Sequence, residues 1–119
     1  MRLNILSVGA LAISSPLTAA PMQCVFAQKE HCQSGSPCLT LPANRVWVKL
    51  DVATRTYSRC DAKGCDRHAV QIARGGNWAN INFPGKAMLA KLSVRGDLVE
   101  AVTLNDTTLI SFGKCKVAG

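Results

Sequence analysis

Met88-Leu89-Ala90-Lys91-Leu92-Ser93-Val94, Arg95-Gly96-Asp97, Leu98-Val99-Glu100-Ala101-Val102-Thr103-Leu104, Asn105-Asp106, Thr107-Thr108-Leu109-Ile110-Ser111-Phe112: this stretch decides the fold. It holds three short runs rich in β-branched and apolar residues, separated by turn chemistry. In the first run Met88, Ala90, Leu92 and Val94 fall on one side, with Lys91, Ser93 and Arg95 on the other. A repeat of two residues is the signature of a strand with one dry face and one wet face. Asn105-Asp106 tolerates positive φ and fits a two-residue hairpin turn. Arg95-Gly96-Asp97 closes the hairpin before it.

The same grammar extends upstream. Strand-like runs are expected at 22–27, 45–52, 56–60, 67–74 and 77–83 in addition to 88–94, 98–104 and 107–112. Val46, Val48, Leu50 and Val52 share a face opposite Trp47, Lys49 and Asp51. Gly75-Gly76 and Pro84-Gly85 supply further turns. Links from residue 53 to 106 are short, so successive strands should pair with their neighbours. The expectation is an all-β, antiparallel meander of about eight strands. It curls into a small up-and-down barrel or flattened sandwich so that the first strand meets the last and hides the edges. Residues 28–44, broken by Ser34-Gly35-Ser36-Pro37 and Pro42, are expected to be the least regular part.

The amino-terminal residues indicate the compartment. Arg2, a mostly apolar run from Leu3 to Ile13, a Ser14-Ser15-Pro16 break and Leu17-Thr18-Ala19-Ala20 have the layout of a secretory signal peptide. The expected division is a signal peptide at 1–20 and one β domain at 21–119, periplasmic or secreted. No apolar run reaches the roughly 20 residues of a transmembrane helix.

Six cysteines remain after such a cut, and an oxidising compartment makes three disulfides the natural reading. Cys60-Asp-Ala-Lys-Gly-Cys65 is a tight turn whose ends can face each other. Cys32 and Cys38 flank a flexible loop. Cys24 and Cys115 are left for the first and last strands. A swap among Cys24, Cys32 and Cys38 is the rival pairing. The chain-entropy estimate is about 4.5 kcal/mol for Cys24–Cys115 against about 2 kcal/mol for Cys60–Cys65.

No C-x-x-C pair is present, so His31-Cys32 and Cys65-x-x-His68 match no zinc module. Two histidines and no Gly-x-Ser-x-Gly offer no hydrolase triad, and an even cysteine count leaves no thiol nucleophile. No enzyme, metal site or cofactor is therefore expected. Without Arg2 the chain carries 13 basic and 7 acidic residues. That balance either draws an anionic envelope component or an acidic protein as partner or only keeps a solvated surface soluble, and the second reading is the favoured one. The basic residues are scattered, so specific nucleic-acid binding finds no support.

Four side chains stand out. Glu100 shares a strand face with Leu98, Val102 and Leu104. It either turns inward and needs a partner such as Arg59, Arg74 or His68, or it is wet and Val99, Ala101 and Thr103 turn inward instead. Trp47 and Trp78 fall on the polar faces of their strands and form a candidate binding surface, unless residues 28–44 cover that face. His68 lies on the face of Val70 and Ile72. Arg95-Gly96-Asp97 also matches an integrin-type tripeptide, although Gly-Asp is common turn chemistry.

Met22-Gln23-Cys24-Val25-Phe26-(x)5-Cys32-(x)5-Cys38, Tyr57-Ser-Arg-Cys-Asp-Ala-Lys-Gly-Cys65-Asp66 and Ser111-Phe-Gly-Lys-Cys115 resemble small exported cysteine-rich proteins of Gram-negative bacteria. That resemblance implies export and disulfides and brings no activity. Size, signal peptide, antiparallel strands and a terminal disulfide are also similar to the periplasmic inhibitors of c-type lysozyme. Their inhibitory loop motifs are missing, so this likeness implies an inhibitor or ligand-carrier function at fold level only.

Overall fold

The computed structural model describes residues 20–42 and 45–118. The expected signal peptide, apart from Ala20, lies outside the described residues. These residues form ten strands and no helix: β1 (Met22–Gln33), β2 (Leu39–Pro42), β3 (Trp47–Asp51), β4 (Thr56–Asp61), β5 (Gly64–Ala69), β6 (Gln71–Gly75), β7 (Trp78–Asn82), β8 (Met88–Ser93), β9 (Asp97–Leu104) and β10 (Thr107–Val117). All pairings are antiparallel, in the order β5-β4-β3-β1-β10-β9-β8-β7-β6, with β2 beside the far half of β1. The meander is nearly closed, and three disulfides staple it: Cys24–Cys115, Cys32–Cys38 and Cys60–Cys65.

Two strands exceed the expected number, for different reasons. The run 67–74 is divided at Val70, which is buried and whose N–H donates to the Arg55 carbonyl. One strand-like run thus turns a corner, and its two halves become the opposite ends of the sheet. The closing ladder forms between β1 and β10 as expected, and the open seam is β5 to β6. The second addition is β2, from the segment expected to be irregular. Leu39-Thr40-Leu41-Pro42 pairs with Gln28–His31, and Pro42 is tolerated because β2 is an edge strand. His31, expected in a loop, therefore sits inside β1.

The turns follow local chemistry. Asn105 has φ 55° in the two-residue turn between Leu104 and Thr107. Gly85 has φ 73°, and Lys86 N–H donates to the Phe83 carbonyl across Pro84-Gly85. The Gly75-Gly76 turn shifts by one residue, because Gly75 pairs with Trp78 and leaves Gly76-Asn77 as the loop. Ser93, expected on the wet face, is buried instead, and its hydroxyl accepts the Arg95 and Asp97 N–H groups. The Arg95-Gly96-Asp97 tip is packed against β10. The Gly96 carbonyl accepts the Cys115 N–H, and a Cβ on Gly96 would lie 2.6 Å from the Cys115 carbonyl oxygen.

The core fills the lumen at one end. Met22, Cys24, Val48, Leu50, Tyr57, Ile81, Leu92 and Leu98 are essentially inaccessible. Each large apolar side chain buried in this way contributes about 1.5–3 kcal/mol. Tyr57 and Phe83 meet edge to face at 4.8 Å, and His68 meets Phe83 at 5.6 Å, so rings from β4 and β5 pack against the end of β7 across the seam.

Candidate functional site

Toward the other end of the lumen a group of polar side chains faces inward among apolar ones. Their placement begins with a β-bulge. Met22, Cys24 and Phe26 point inward, and unbroken alternation would then send Gln28 and Glu30 inward. The pairing of β1 with β10 slips between Phe26 and Gln28, so Ala27 is an extra residue. The extra residue reverses the alternation. Lys29 now pairs with Ser111, and His31 with Leu109, on the inner face. Gly113 makes the bulge feasible: a Cβ there would lie 2.5 Å from the Val25 carbonyl oxygen.

Glu100 resolves to the inward orientation and is 1% exposed. It lies in one cross-strand row that runs Leu41, Lys29, Ser111, Glu100, Ala90, Ile81 and Ile72. Its partners come from the far wall. The Tyr57 hydroxyl donates to Oε2 at 2.7 Å, and Arg59 Nε–H donates to Oε1 at 3.0 Å. Arg59 is one of the partners expected from sequence. Tyr57 is not, because its hydroxyl acts across the lumen and no strand alternation announces such a contact. Burial first, and the Glu100 charge second, push the Tyr57 phenol well above its ordinary pKa. Glu100 is thus held by a neutral donor and a cation, as a buried carboxylate requires.

The Arg59 side chain remains one-third exposed. Its contact with Glu100 uses the Nε–H, and the terminal NH₂ groups remain as donors. Arg59 lines a cavity of about 280 Å³ with Lys29, Glu100 and Ser111 on its polar side and Met88, Val102 and Leu109 on its apolar side. Two cations and one carboxylate leave the cavity net positive. Beyond it the inner face of the sheet continues as an open ledge, where Leu39, Leu41 and Leu104 are exposed.

The two tryptophans occupy separate places. Trp47 on β3 is half-buried and lies directly across from Cys60, which is buried although outside the core cluster. Trp78 on β7 is 37% exposed and lines a different, outer cavity with Ala27, Val99 and Phe112. Five strand spacings lie between β3 and β7 along the curved sheet. Residues 28–33 and 39–42 pair into the sheet as strands rather than covering that face. His68 is half-buried, with its Nδ1 unbonded.

Among the described residues no group of three or more His, Cys, Asp or Glu is placed to hold a metal ion, and no helix is long and apolar enough to cross a membrane. No family model matches this chain, and neither a curated protein nor a solved structure matches it.

Proposed function

We propose that this protein is exported and acts as a non-enzymatic binding domain, with the half-open end of the barrel as its ligand site. The observation that carries this reading is the inward pair Lys29 and Arg59 over a cavity of about 280 Å³. A pocket with a few convergent polar groups and an apolar wall is the usual form of a small-molecule site, although this one is at the small end of the usual range. Glu100 serves to position rather than to react. Its oxygens are engaged by Tyr57 and Arg59, which fixes the guanidinium and presents its remaining donors to the cavity. Pre-organised donors of this kind bind at low entropic cost. The positive charge of the chain acts in the same direction by drawing anions to the mouth. Three disulfides support an oxidising compartment.

The test is the intact mass of the protein isolated from its own cells, native and denatured, before and after reduction. Three disulfides raise the mass by about 6 Da on reduction. A bound ligand appears as extra native mass that vanishes on denaturation and is absent from Lys29→Glu. Native protein that carries no adduct, and whose amide spectrum around the cavity ignores every anion offered, sinks the reading.

A further inference from the structure

We infer that the ligand is a single-chain amphiphile with an anionic head group, its head at Lys29 and Arg59 and its chain along the ledge. This deepens the binding-domain reading and rests on it.

Two neighbouring cross-strand rows line this end of the barrel. The polar row contributes Leu41, Lys29, Ser111 and Glu100. The next row outward runs Leu39, His31, Leu109, Val102 and Met88 across five strands. Antiparallel partners share a face, so these side chains line the inner surface of the sheet together. The row is apolar except for His31, and Leu104 adds to its outer rim. Leu39 is 59% exposed and Leu104 55%, and Leu41, beside them on the same face, is also open to solvent. Three leucines open to solvent on the concave side of a sheet form an apolar patch of the kind that marks a binding surface.

Charge identifies the occupant. A purely apolar ligand would leave Lys29 and the terminal nitrogens of Arg59 desolvated without partners, which is costly. A cationic head would meet two cations and a carboxylate already engaged by Tyr57 and Arg59. A short anion would satisfy the cations and leave the ledge wet. An anionic head joined to one alkyl chain satisfies both regions at once. A cavity of about 280 Å³ accommodates the head and first carbons, and an extended alkyl chain reaches the ledge beyond it.

The experiment is calorimetric and NMR titration of the disulfide-bonded protein with dodecanoate below its micelle concentration. Dodecyltrimethylammonium and acetate serve as comparisons. The expected result is saturable dodecanoate binding that shifts the amides of Lys29, Leu109 and Ser111, with negligible binding of the cationic amphiphile. Lys29→Glu should weaken it at least about tenfold, the scale of one charge-assisted hydrogen bond. Leu104→Ser, an uncharged change at the exposed rim of the ledge, should weaken dodecanoate more than it weakens acetate. Equal binding of acetate and dodecanoate overturns the inference and leaves the binding site standing. Equal binding of the anionic and cationic amphiphiles overturns it through the head group. Failure of all three probes, with no native adduct, removes the inference and the binding-domain reading together.

Discussion

The Tyr57 hydroxyl donates to Glu100 Oε2 at 2.7 Å and joins two walls of the barrel that are 43 residues apart in sequence. Tyr57 is also the only tyrosine in the chain, so its ionisation can be followed by absorbance without interference. Burial and the Glu100 charge hold the folded-state pKa well above the ordinary 10.0. The folded protein keeps a proton that the unfolded chain releases near that value. Stability is therefore fully present below about pH 10 and is lost as pH rises toward the folded-state pKa. Phenolate absorbance should appear only with unfolding, whereas protein in urea should titrate near the ordinary value. A tyrosine that ionises normally in the folded protein contradicts this arrangement.

Arg59 and Glu100 should behave as a coupled pair. Arg59→Ala leaves a buried carboxylate with Tyr57 as its remaining partner and should cost about 3 kcal/mol in urea unfolding. Glu100→Gln keeps the shape and removes the charge, so the loss should be smaller, about 1–2 kcal/mol. The double variant should lose less than the sum of the two. Additive losses would mean that the pair does not interact.

The staples should be unequal. Cys24–Cys115 spans 91 residues and Cys60–Cys65 spans 5. Replacing both members of the long pair by alanine should cost about twice as much as replacing the short pair, roughly 4.5 against 2 kcal/mol by the loop-entropy estimate. Comparable midpoints for the two double variants would count against the closure as the main constraint.

Gly113→Ala places a methyl against the Val25 carbonyl and the Phe26 ring at the bulge. A destabilisation of about 1–3 kcal/mol is expected from this overpacking. Because Lys29 faces inward only as far as the bulge holds, the variant should also perturb the Lys29 amide. An unchanged melting temperature and amide spectrum would show that the approach is looser than described.

Lys114, more than Arg95 or Ser93, lowers the Asp97 pKa from its model-compound value of 3.8. The unfolded chain takes up the proton first as pH falls. The contribution is thus present above that value and is lost as the pH drops through the lowered one. Asp97→Asn should flatten this part of the acid limb of the melting temperature. The effect should be small and should shrink with salt, because the pair is exposed.

Much of the fold was legible because strands and turns are local. The alternation in Val46–Val52, the Asn105-Asp106 and Pro84-Gly85 turns and the Cys60–Cys65 spacing each carry their own geometry. The single run 67–74 hid the corner at Val70, since no glycine or proline within it marks where it stops pairing. The edge strand at Leu39–Pro42 was hidden by proline and by the absence of any buried residue. The site was less legible than the fold. Arg59 and Glu100 could be named from strand faces, but the inward turn of Lys29 depends on one supernumerary alanine. Tyr57 acts across the lumen, at a distance that periodicity does not encode.

The seam at Val70 also orders events in time. β1–β5 and β6–β10 are each contiguous in sequence, and backbone pairing between these halves is confined to the β1–β10 ladder. Within the halves, most ladders join neighbours through short turns and can zip early. The β1–β10 ladder must close a chain of about ninety residues and is the slow, entropically costly step. Cys24 and Cys115 face each other only once that ladder exists. Their oxidation therefore works as a latch that records a finished chain trace, and a newly made molecule that has not yet closed carries two free thiols as the mark of its immaturity.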